Sequence, residues 1–219
     1  MKRKSIQTWM ALTALSTSLL IATSANAANF KPKSAGDFLI RARIVDVVPS
    51  ESIHSSDVAG KAEVSNDVIP ELDFSYFFTD HIAAELIAGT SKHDVKWNTG
   101  AGKVDLGSVR LLPPTLTLQY HFMPKQRFSP YVGAGINYTY FFSEDTGSGN
   151  TSIDYKNKFG YALQAGFDYA IVGNWSVNLD VKKLFLKTDV NTDVTGVGHV
   201  HATGHLNPLL VGIGVGYRF

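Results

Sequence analysis

The sequence predicts an all-β protein, an eight-stranded antiparallel transmembrane β-barrel with short periplasmic turns and long extracellular loops. Three observations lead to this fold class. An N-terminal export signal precedes the domain, eight segments alternate apolar and polar side chains, and short connections between those segments alternate with long ones. Bacterial outer-membrane barrels have an even number of antiparallel strands connected in this way.

The first 27 residues have the organisation of a cleaved signal peptide. Lys2–Lys4 form a basic start, an uncharged stretch follows as far as Ala22, and Ala25–Ala27 supplies the small residues of a cleavage site. The apolar part is shorter than the roughly 20 residues that a membrane-spanning helix requires. We therefore expect cleavage after Ala27, rather than a retained anchor, and one domain over residues 28–219.

The charge balance and the lack of cysteine exclude several classes of protein. The chain has 20 Lys and Arg residues, and the three in the leader leave 17 against 19 Asp and Glu, a net charge of −2 with His neutral. Nucleic-acid binding usually requires a clustered basic surface, so we expect no nucleic-acid partner. The chain has no Cys, which excludes disulfides and thiolate ligands.

The first four segments each place apolar residues at every second position. They cover about residues 37–48, 68–78, 82–92 and 109–122. Their apolar faces include Phe38 and Ile44, Leu72 and Phe78, Ala84 and Leu86, and Leu116 and Phe122. Charged and amide side chains lie on the opposite faces, which predicts strands with one polar and one apolar side.

The last four segments repeat the pattern. They cover about residues 130–142, 159–170, 175–186 and 206–219. Their apolar faces include Val132 and Tyr140, Leu163 and Tyr169, Val177 and Val181, and Val211 and Phe219. Glycines alternate with apolar residues in the fifth and eighth segments. No helix follows these glycines, so they do not predict a nucleotide site; we expect them to leave room for bulky lumenal side chains.

A soluble lipocalin-like barrel is the alternative, with the apolar rows inside. The distribution of aromatic residues argues against it, because several lie near the predicted periplasmic strand ends, where a membrane-interface girdle belongs. These residues are Tyr120, Phe122, Tyr169, Trp175, Tyr217 and Phe219. The apolar rows are therefore expected to face lipid.

Several motifs resemble the outer membrane protein W family. They are Gly36–Arg43 ahead of Val47–Pro49, Leu112–Thr115 through Tyr120–Phe122, Pro130–Gly135 and the terminal Gly216–Phe219. The resemblance covers nearly all of the mature chain. It implies an eight-stranded barrel in the cell outer membrane, in contact with membrane lipid and lipopolysaccharide, associated with passage of small hydrophobic molecules or with bacteriocin reception. The terminal Phe219 resembles the signal that barrels present to the barrel-assembly machinery.

Eight strands enclose a space about wide enough for side chains to fill, so an open water-filled pore is not expected. Near the periplasmic side, the inward positions carry charges of both signs, which survive burial only when paired. We interpret them as a polar plug formed by Arg41, Glu71, Asp73, Glu85, His121, Asp168, Asp180 and Arg218.

Towards the extracellular side, the inward positions become apolar. They are Val45, Val47, Ile69, Ile87, Leu111, Phe141, Leu184, Leu186 and Leu206. Such a lining suits a pocket for a hydrophobic ligand, although these side chains would also serve to pack the top of the barrel. A ligand that enters from outside and meets a polar plug would have to leave sideways into the bilayer.

Prolines suggest where a sideways exit would be, because proline cannot donate to a strand ladder. Four lie in the outer halves of predicted strands: Pro70, Pro113, Pro114 and Pro208. We expect a lateral gap near them; strand starts or bulges are the alternative interpretation.

Other interpretations rest on fewer residues. His199, His201 and His205 have spacing that would suit a metal ion, but a solvated loop accounts for them better, and we predict neither metal nor cofactor. A barrel enzyme acting on lipid A is an alternative, with His121 and either Asp168 or Glu85 as base and orienting acid. A structural or adhesin-type surface barrel is a third possibility. We predict a non-enzymatic channel.

Overall fold

The structure is a computed structural model that describes residues 30–55, 61–98, 102–148, 150–194 and 198–219. The predicted signal peptide, residues 1–27, lies outside these ranges. No helix in the described part of the chain is long and apolar enough to span a membrane.

The described ranges contain fourteen β-strands. Alternating side chains give each of the longer strands a buried and an exposed face, because successive residues of a strand point to opposite sides. The strands are β1 Phe38–Val48, β2 Glu51–Ser55, β3 Lys61–Val64, β4 Asp67–Phe77, β5 Ile82–Gly89, β6 Ser91–Asn98, β7 Lys103–Leu112, β8 Thr115–His121, β9 Phe128–Thr146, β10 Asn150–Tyr155, β11 Lys158–Val172, β12 Trp175–Val194, β13 Gly198–Leu206 and β14 Leu209–Arg218.

Eight of these strands close into an antiparallel barrel, as predicted. The pairing runs β1–β4–β5–β8–β9–β11–β12–β14 and returns to β1. Closure leaves these strands without free edges, so their backbone polar groups bond within the wall. Short turns connect β4 to β5, β8 to β9 and β11 to β12 at one end of the barrel.

The segments expected as long loops contain strands of their own. On one side, β3, β6 and β7 pair in sequence and continue onto the outer half of β9. On the other, β2 pairs with β13, and both β13 and β10 pair with the outer half of β12. The sheet therefore extends beyond the closed eight-stranded part of the barrel as two flaps. Sequence reasoning missed these strands because their composition is rich in Gly, Ser, Asn and Asp.

The apolar rows face outward and the polar rows face the lumen. Leu116, Val132 and Leu163 are 48%, 45% and 55% exposed, whereas Arg41 and Asp73 are both 0% exposed. A soluble barrel would have the opposite arrangement, so the lipocalin-like alternative is wrong. Exposed aromatic pairs also line the periplasmic strand ends, for example Trp175–Tyr217 with ring centroids 4.9 Å apart and Tyr217–Phe219 at 4.8 Å.

Lumenal glycines make room for the large polar side chains. A Cβ on Gly214 would lie 2.2 Å from the Ala42 carbonyl oxygen and 2.8 Å from Arg43 Cγ. A Cβ on Gly216 would lie 3.2 Å from Arg41 Cγ. β14 can therefore lie against the two arginines of β1 only because it presents glycine at these positions.

Candidate functional site

The centre of the lumen is an ion-pair network around Arg41. Its Nη1 lies 2.7 Å from Asp73 Oδ1 and 2.9 Å from Glu85 Oε1, and its Nε lies 3.1 Å from Asp168 Oδ1. These four side chains come from β1, β4, β5 and β11 and are at most 2% exposed. One guanidinium therefore joins three carboxylates from different parts of the wall, which compensates charges that would be costly to bury alone.

A second arginine extends the network one layer outward. Arg43 Nη1 lies 2.9 Å from Glu71 Oε1 and 3.0 Å from Asp73 Oδ2, and its Nη2 lies 3.0 Å from Glu85 Oε1. The other oxygen of Glu85 accepts hydrogen bonds from Gln119 and Gln164, at 2.8 and 2.7 Å. Charges and amides thus satisfy each other across the barrel, and the lumen at this level is filled by side chains.

The periplasmic floor of the network is completed by Lys33, which precedes the first strand. Its Nζ lies 2.7 Å from Asp168 Oδ2 and donates hydrogen bonds to Ser129 Oγ (2.9 Å) and His121 Nδ1 (3.0 Å). Because the ammonium can only donate, His121 accepts at Nδ1 and its Nε2–H donates to Gln119 Oε1, 3.2 Å away. Burial lowers the pKa of Lys33 from 10.5 to about 8, although Asp168 acts against this shift.

The residues around Lys33 form a strap, defined here as residues 30–37, across the periplasmic end of the barrel. The strap contacts all three short turns. Lys31 N donates to Gly173 O and Lys33 N to Pro124 O, both at 3.0 Å, while Ala35 N donates to Asp80 Oδ1 at 2.9 Å. That hydrogen bond and the nearby ammonium of Lys125, 2.6 Å from Asp80, keep the pKa of Asp80 below its usual range.

Seven of the eight predicted plug residues lie in the lumen and join this network. Asp180 accepts from Tyr131 and Gln164 at 2.8 and 2.7 Å. Arg218 lies at the periplasmic rim instead, where its Nε is 3.2 Å from Asp37 and a second guanidinium nitrogen donates to the Lys31 carbonyl. Arg218 thus anchors the strap to the barrel.

Three charged side chains and one tyrosine of the network were not among the predicted plug residues. They are Lys33, Arg43, Lys182 and Tyr131. Arg43 and Lys182 lie on inward rows that the alternation already identifies, so the sequence contained their signal. Tyr131 also lies on an inward row, at period two with Gly133 and Asn137, whereas Lys33 precedes every strand and no pattern or spacing indicated it.

Above the polar network the lumen becomes apolar in two layers. The lower apolar cluster consists of buried side chains directly over the arginines: Val45, Val47, Ile69, Ala162, Leu184 and Leu210. The upper apolar cluster lies between the extracellular flaps and comprises Val95, Leu106, Val109, Phe141 and Leu186, with Trp97, Val104, Leu111 and Leu206 packed against them. Ile87 is also buried, at 4% exposure.

All nine predicted pocket residues therefore lie on the inward side, shared between the two clusters and Ile87. The sequence prediction missed Ala162 and Leu210. Ala162 has a small side chain, and Leu210 lies between Leu209 and Val211, where continuous apolar residues hide the alternation. It also missed Val95, Trp97, Val104 and Leu106, because residues 93–108 were expected to form a loop.

The barrel wall is interrupted beside the lower cluster. The β5–β8 ladder ends at Ile87–Thr115, and the same register resumes as β6–β7 only at Ser91–Leu111. The β4–β5 ladder ends at Glu71–Gly89. Pro70, Pro113 and Pro114 lie at these ends. Just beyond them the wall is unpaired on both sides of the outer end of β5, and we call this part of the wall the β5 break. A Cβ on Gly89 would lie 3.5 Å from Ile69 Cδ1, which shows that the break adjoins the cluster.

Pro208 differs from the other three prolines. Both ladders of its strand continue past it in unchanged register: β12 pairs Lys183–Leu209 and then Leu186–Leu206, and Leu184 N donates to Pro208 O at 3.1 Å. On the other side, Asn207 N donates to Ser50 O at 3.0 Å. The wall therefore stays joined on both sides of Pro208.

The remaining sequence-based alternatives find little support. Lys33 Nζ stands next to both His121 and Asp168, and among the described residues His121 bonds to neither Asp168 nor Glu85. The side chains of His199 and His201 lie outside the described residues. Within the part that is described, no group of three His, Cys, Asp or Glu side chains is placed to hold a metal ion.

Comparison with known proteins identifies the family. The model of the OmpW family matches residues 34–219. The chain belongs to the OmpW family. It is therefore an outer-membrane β-barrel, with its short turns on the periplasmic side, as in other barrels of this membrane.

Individual relatives agree with this assignment. The chain is 47% identical over 181 residues to the uncharacterised outer-membrane protein y4mB of Sinorhizobium fredii, which covers 82% of this chain and 79% of that protein. It is 36% identical to outer membrane protein W of Escherichia coli K12, covering 84% and 89%. The crystal structure of OprG from Pseudomonas aeruginosa superposes with a TM-score of 0.80 at 32% identity, covering 87% of this chain and 99% of OprG.

Proposed function

We propose that this OmpW-family barrel is a passive channel through which small hydrophobic molecules cross the outer membrane. A solute enters between the extracellular flaps, contacts the upper and then the lower apolar cluster, and leaves through the β5 break into the bilayer. The observation that carries the proposal is the position of the lower cluster. It lies between a sealed polar floor and an interrupted stretch of wall.

The polar floor supports a sideways exit rather than passage to the periplasm. A molecule without hydrogen-bonding groups would have to separate Arg41 and Arg43 from their carboxylates, leaving buried charges uncompensated at a cost of about 3–5 kcal/mol. The strap adds a further layer below. Apolar side chains on the way to the break offer instead about 25 cal/mol for each Å² of apolar solute surface that they cover.

Export and assembly complete the proposal. Residues 1–27 direct the chain across the inner membrane and are removed. Phe219 then serves the barrel-assembly machinery; it is 61% exposed at the end of the last strand, and its backbone N–H donates to Phe38 O at 2.8 Å. In the mature barrel, membrane lipid and lipopolysaccharide surround the exposed apolar rows.

An uptake assay tests the channel. Liposomes containing the folded barrel are exposed to a series of solutes of equal size and rising hydrophobicity, and ion current is recorded on the same preparation. We expect uptake to rise with hydrophobicity over protein-free liposomes while ion current stays near background. Equal uptake of polar and apolar solutes, with steady current, would instead indicate an open aqueous pore and contradict the proposal.

The extracellular flaps favour a second candidate function, recognition at the cell surface. β9 and β12 have 19 and 20 residues, roughly twice the length needed to cross the membrane. Long strands that continue outside the membrane present a rigid surface to other proteins. Exchanging the β6–β7 hairpin for a short turn would abolish such recognition, measured as binding of surface-directed bacteriocins to cells.

A further inference from the structure

Two cationic side chains lie opposite each other on the lipid-facing side of the wall, at the outer edge of the β5 break. Lys92 of β6 pairs in register with Arg110 of β7. Lys92 follows Thr90 by two residues, and Arg110 precedes Pro113 by three. Both side chains are exposed, whereas the neighbouring Ser91 is buried. The pair therefore borders the break from outside the barrel.

The side chains of the two cations form no ion pair among the described residues. No carboxylate in the described ranges lies within 4.0 Å of either charged group, including Asp94, the next outward residue of β6. The carboxylate of Asp67 contacts Lys92 only at its backbone, where Lys92 N donates to Asp67 Oδ2 at 2.7 Å. Other cations of the same two strands have acids directly opposite: Lys103 Nζ lies 2.6 Å from Glu63 Oε2, and Lys96 pairs in register with Glu63 on one side and Asp105 on the other. Like charges directly opposite on neighbouring strands destabilise a sheet, so an anion between Lys92 and Arg110 would be stabilising.

Aromatic side chains continue the same row onto the next strand. Phe142 of β9 pairs in register with Arg110, and its ring stacks on that of Tyr140 with centroids 6.1 Å apart. Tyr140 is 48% exposed on the lipid-facing side. Aromatic rings lie at the membrane interface, and Lys and Arg beside them extend to the polar headgroups. The height of the pair thus matches the headgroups of the outer leaflet.

We propose that Lys92 and Arg110 bind a phosphate group of lipid A in the outer leaflet, with the acyl chains of that lipid lying over the β5 break. The guanidinium can donate two parallel hydrogen bonds to a phosphate, and the ammonium adds a point charge from the adjacent strand. The lipid-binding site is inferred from the positions of Lys92 and Arg110 alone. Only its effect on solute uptake depends on the proposed lateral route. A departing solute passes between this lipid and the barrel wall.

Lipid binding to the purified barrel tests the site. The folded protein in detergent micelles is titrated with diphosphorylated lipid A, with dephosphorylated lipid A and with inorganic phosphate, and occupancy is read by native mass spectrometry. Replacing both residues, Lys92→Gln with Arg110→Gln, is expected to weaken binding of diphosphorylated lipid A by about tenfold or more, as loss of charged hydrogen bonds predicts. Dephosphorylated lipid A should bind both proteins equally.

The matched control is Lys96→Gln with Lys103→Gln, which removes the same charge from the same two strands. Its lipid A binding should stay within about twofold of the unchanged protein, because both lysines already face acids. Equal weakening in the two double variants would overturn the site in favour of general surface charge. Competition by inorganic phosphate at comparable concentration would overturn the assignment to lipid. If the lateral route is wrong, the uptake assays will show it, but the difference in lipid A binding between the two double variants will remain.

Discussion

At the scale of single residues, the lumen depends on a few side chains that each satisfy several others. Arg41 joins carboxylates from three other strands, and Glu85 receives two arginines and two glutamines. Pairing of this density is what makes so many buried charges compatible with a stable barrel. Lys33 brings a segment outside the barrel into this network, because its side chain on the strap contacts Asp168, Ser129 and His121 in the lumen.

Replacing Lys33 tests this role of the strap. Lys33→Met removes three contacts of one ammonium, so we expect the amides of Lys31 and Lys33 to exchange with deuterium about ten to a hundred times faster, since hydrogen bonds to charged groups contribute about 1.5–3 kcal/mol. The control is Lys31→Met, the same change two residues away, which leaves these contacts in place. Unchanged exchange in Lys33→Met would show that the backbone contacts alone hold the strap.

The lowered pKa of Lys33 predicts how docking of the strap depends on pH. When the strap is released, the ammonium returns to water and the pKa to near 10.5, so between pH 8 and 10.5 the released state binds more protons. Docking therefore becomes more favourable as pH rises through about 8, and below pH 8 it is constant. Exchange of the strap amides, corrected for the intrinsic effect of pH, should slow from pH 8 to 10. Lys33→Met should show no such trend.

At the scale of elements, the consecutive prolines between β7 and β8 matter because they remove one donor on each side of the chain. Tyr138 N donates to Pro114 O, so position 114 faces β9 and position 113 faces Gly89 of β5. Pro208 shows that one proline is tolerated without loss of register on either side. Over the β5 break, by contrast, pairing stops at Ile87–Thr115 and resumes at Ser91–Leu111, and no hydrogen bond joins Gly89 to Pro113 between them, whereas Leu184 N still donates to Pro208 O. Loss of the whole hydrogen-bonded pair, rather than the presence of proline as such, distinguishes the two sites.

Restoring the donors should close the break. In Pro113→Val with Pro114→Val, both backbone N–H groups return, and we expect β5–β6 and β7–β8 to pair continuously and uptake of hydrophobic solutes into liposomes to fall severalfold. Pro208→Val is the matched control and should leave uptake unchanged. Folding is checked by the mobility of unheated protein on gels. Normal uptake by the folded double variant would contradict the lateral exit.

At the scale of the whole molecule, the bilayer determines which side of the wall tolerates charge. Phe122 lies at the periplasmic end of an outward-facing row, and Leu116 faces outward on the same row six residues, or about 20 Å, further along the chain. We expect Leu116→Arg to lower the free energy of unfolding by about 2–4 kcal/mol and Phe122→Arg by about 0–1 kcal/mol, because the cost of a lipid-facing charge depends on depth. Urea titration in liposomes measures both. Equal costs at the two depths would argue against a spanning barrel.

Much of the barrel was predictable because period-two alternation is a local property. The rows containing Arg41, Asp73 and Asp168 follow from counting every second residue, and the resulting faces are the ones observed. The flaps were not predictable, since β6 and β7 are short and bounded by Gly and polar residues that also suit loops. Lys33 was missed because its role depends on a segment that folds back across the barrel mouth, which no local pattern records.

The sequence by itself determined the fold class, the membrane and the side of the wall that meets lipid, because a one-residue shift would exchange every polar and apolar side chain. It also indicated which inward positions are polar and which are apolar. Only the tertiary structure decided which charges pair, that the strap closes the floor, and that three prolines adjoin a break while the fourth does not. Those features depend on which strands become neighbours when the barrel closes, and closure unites residues far apart in the chain.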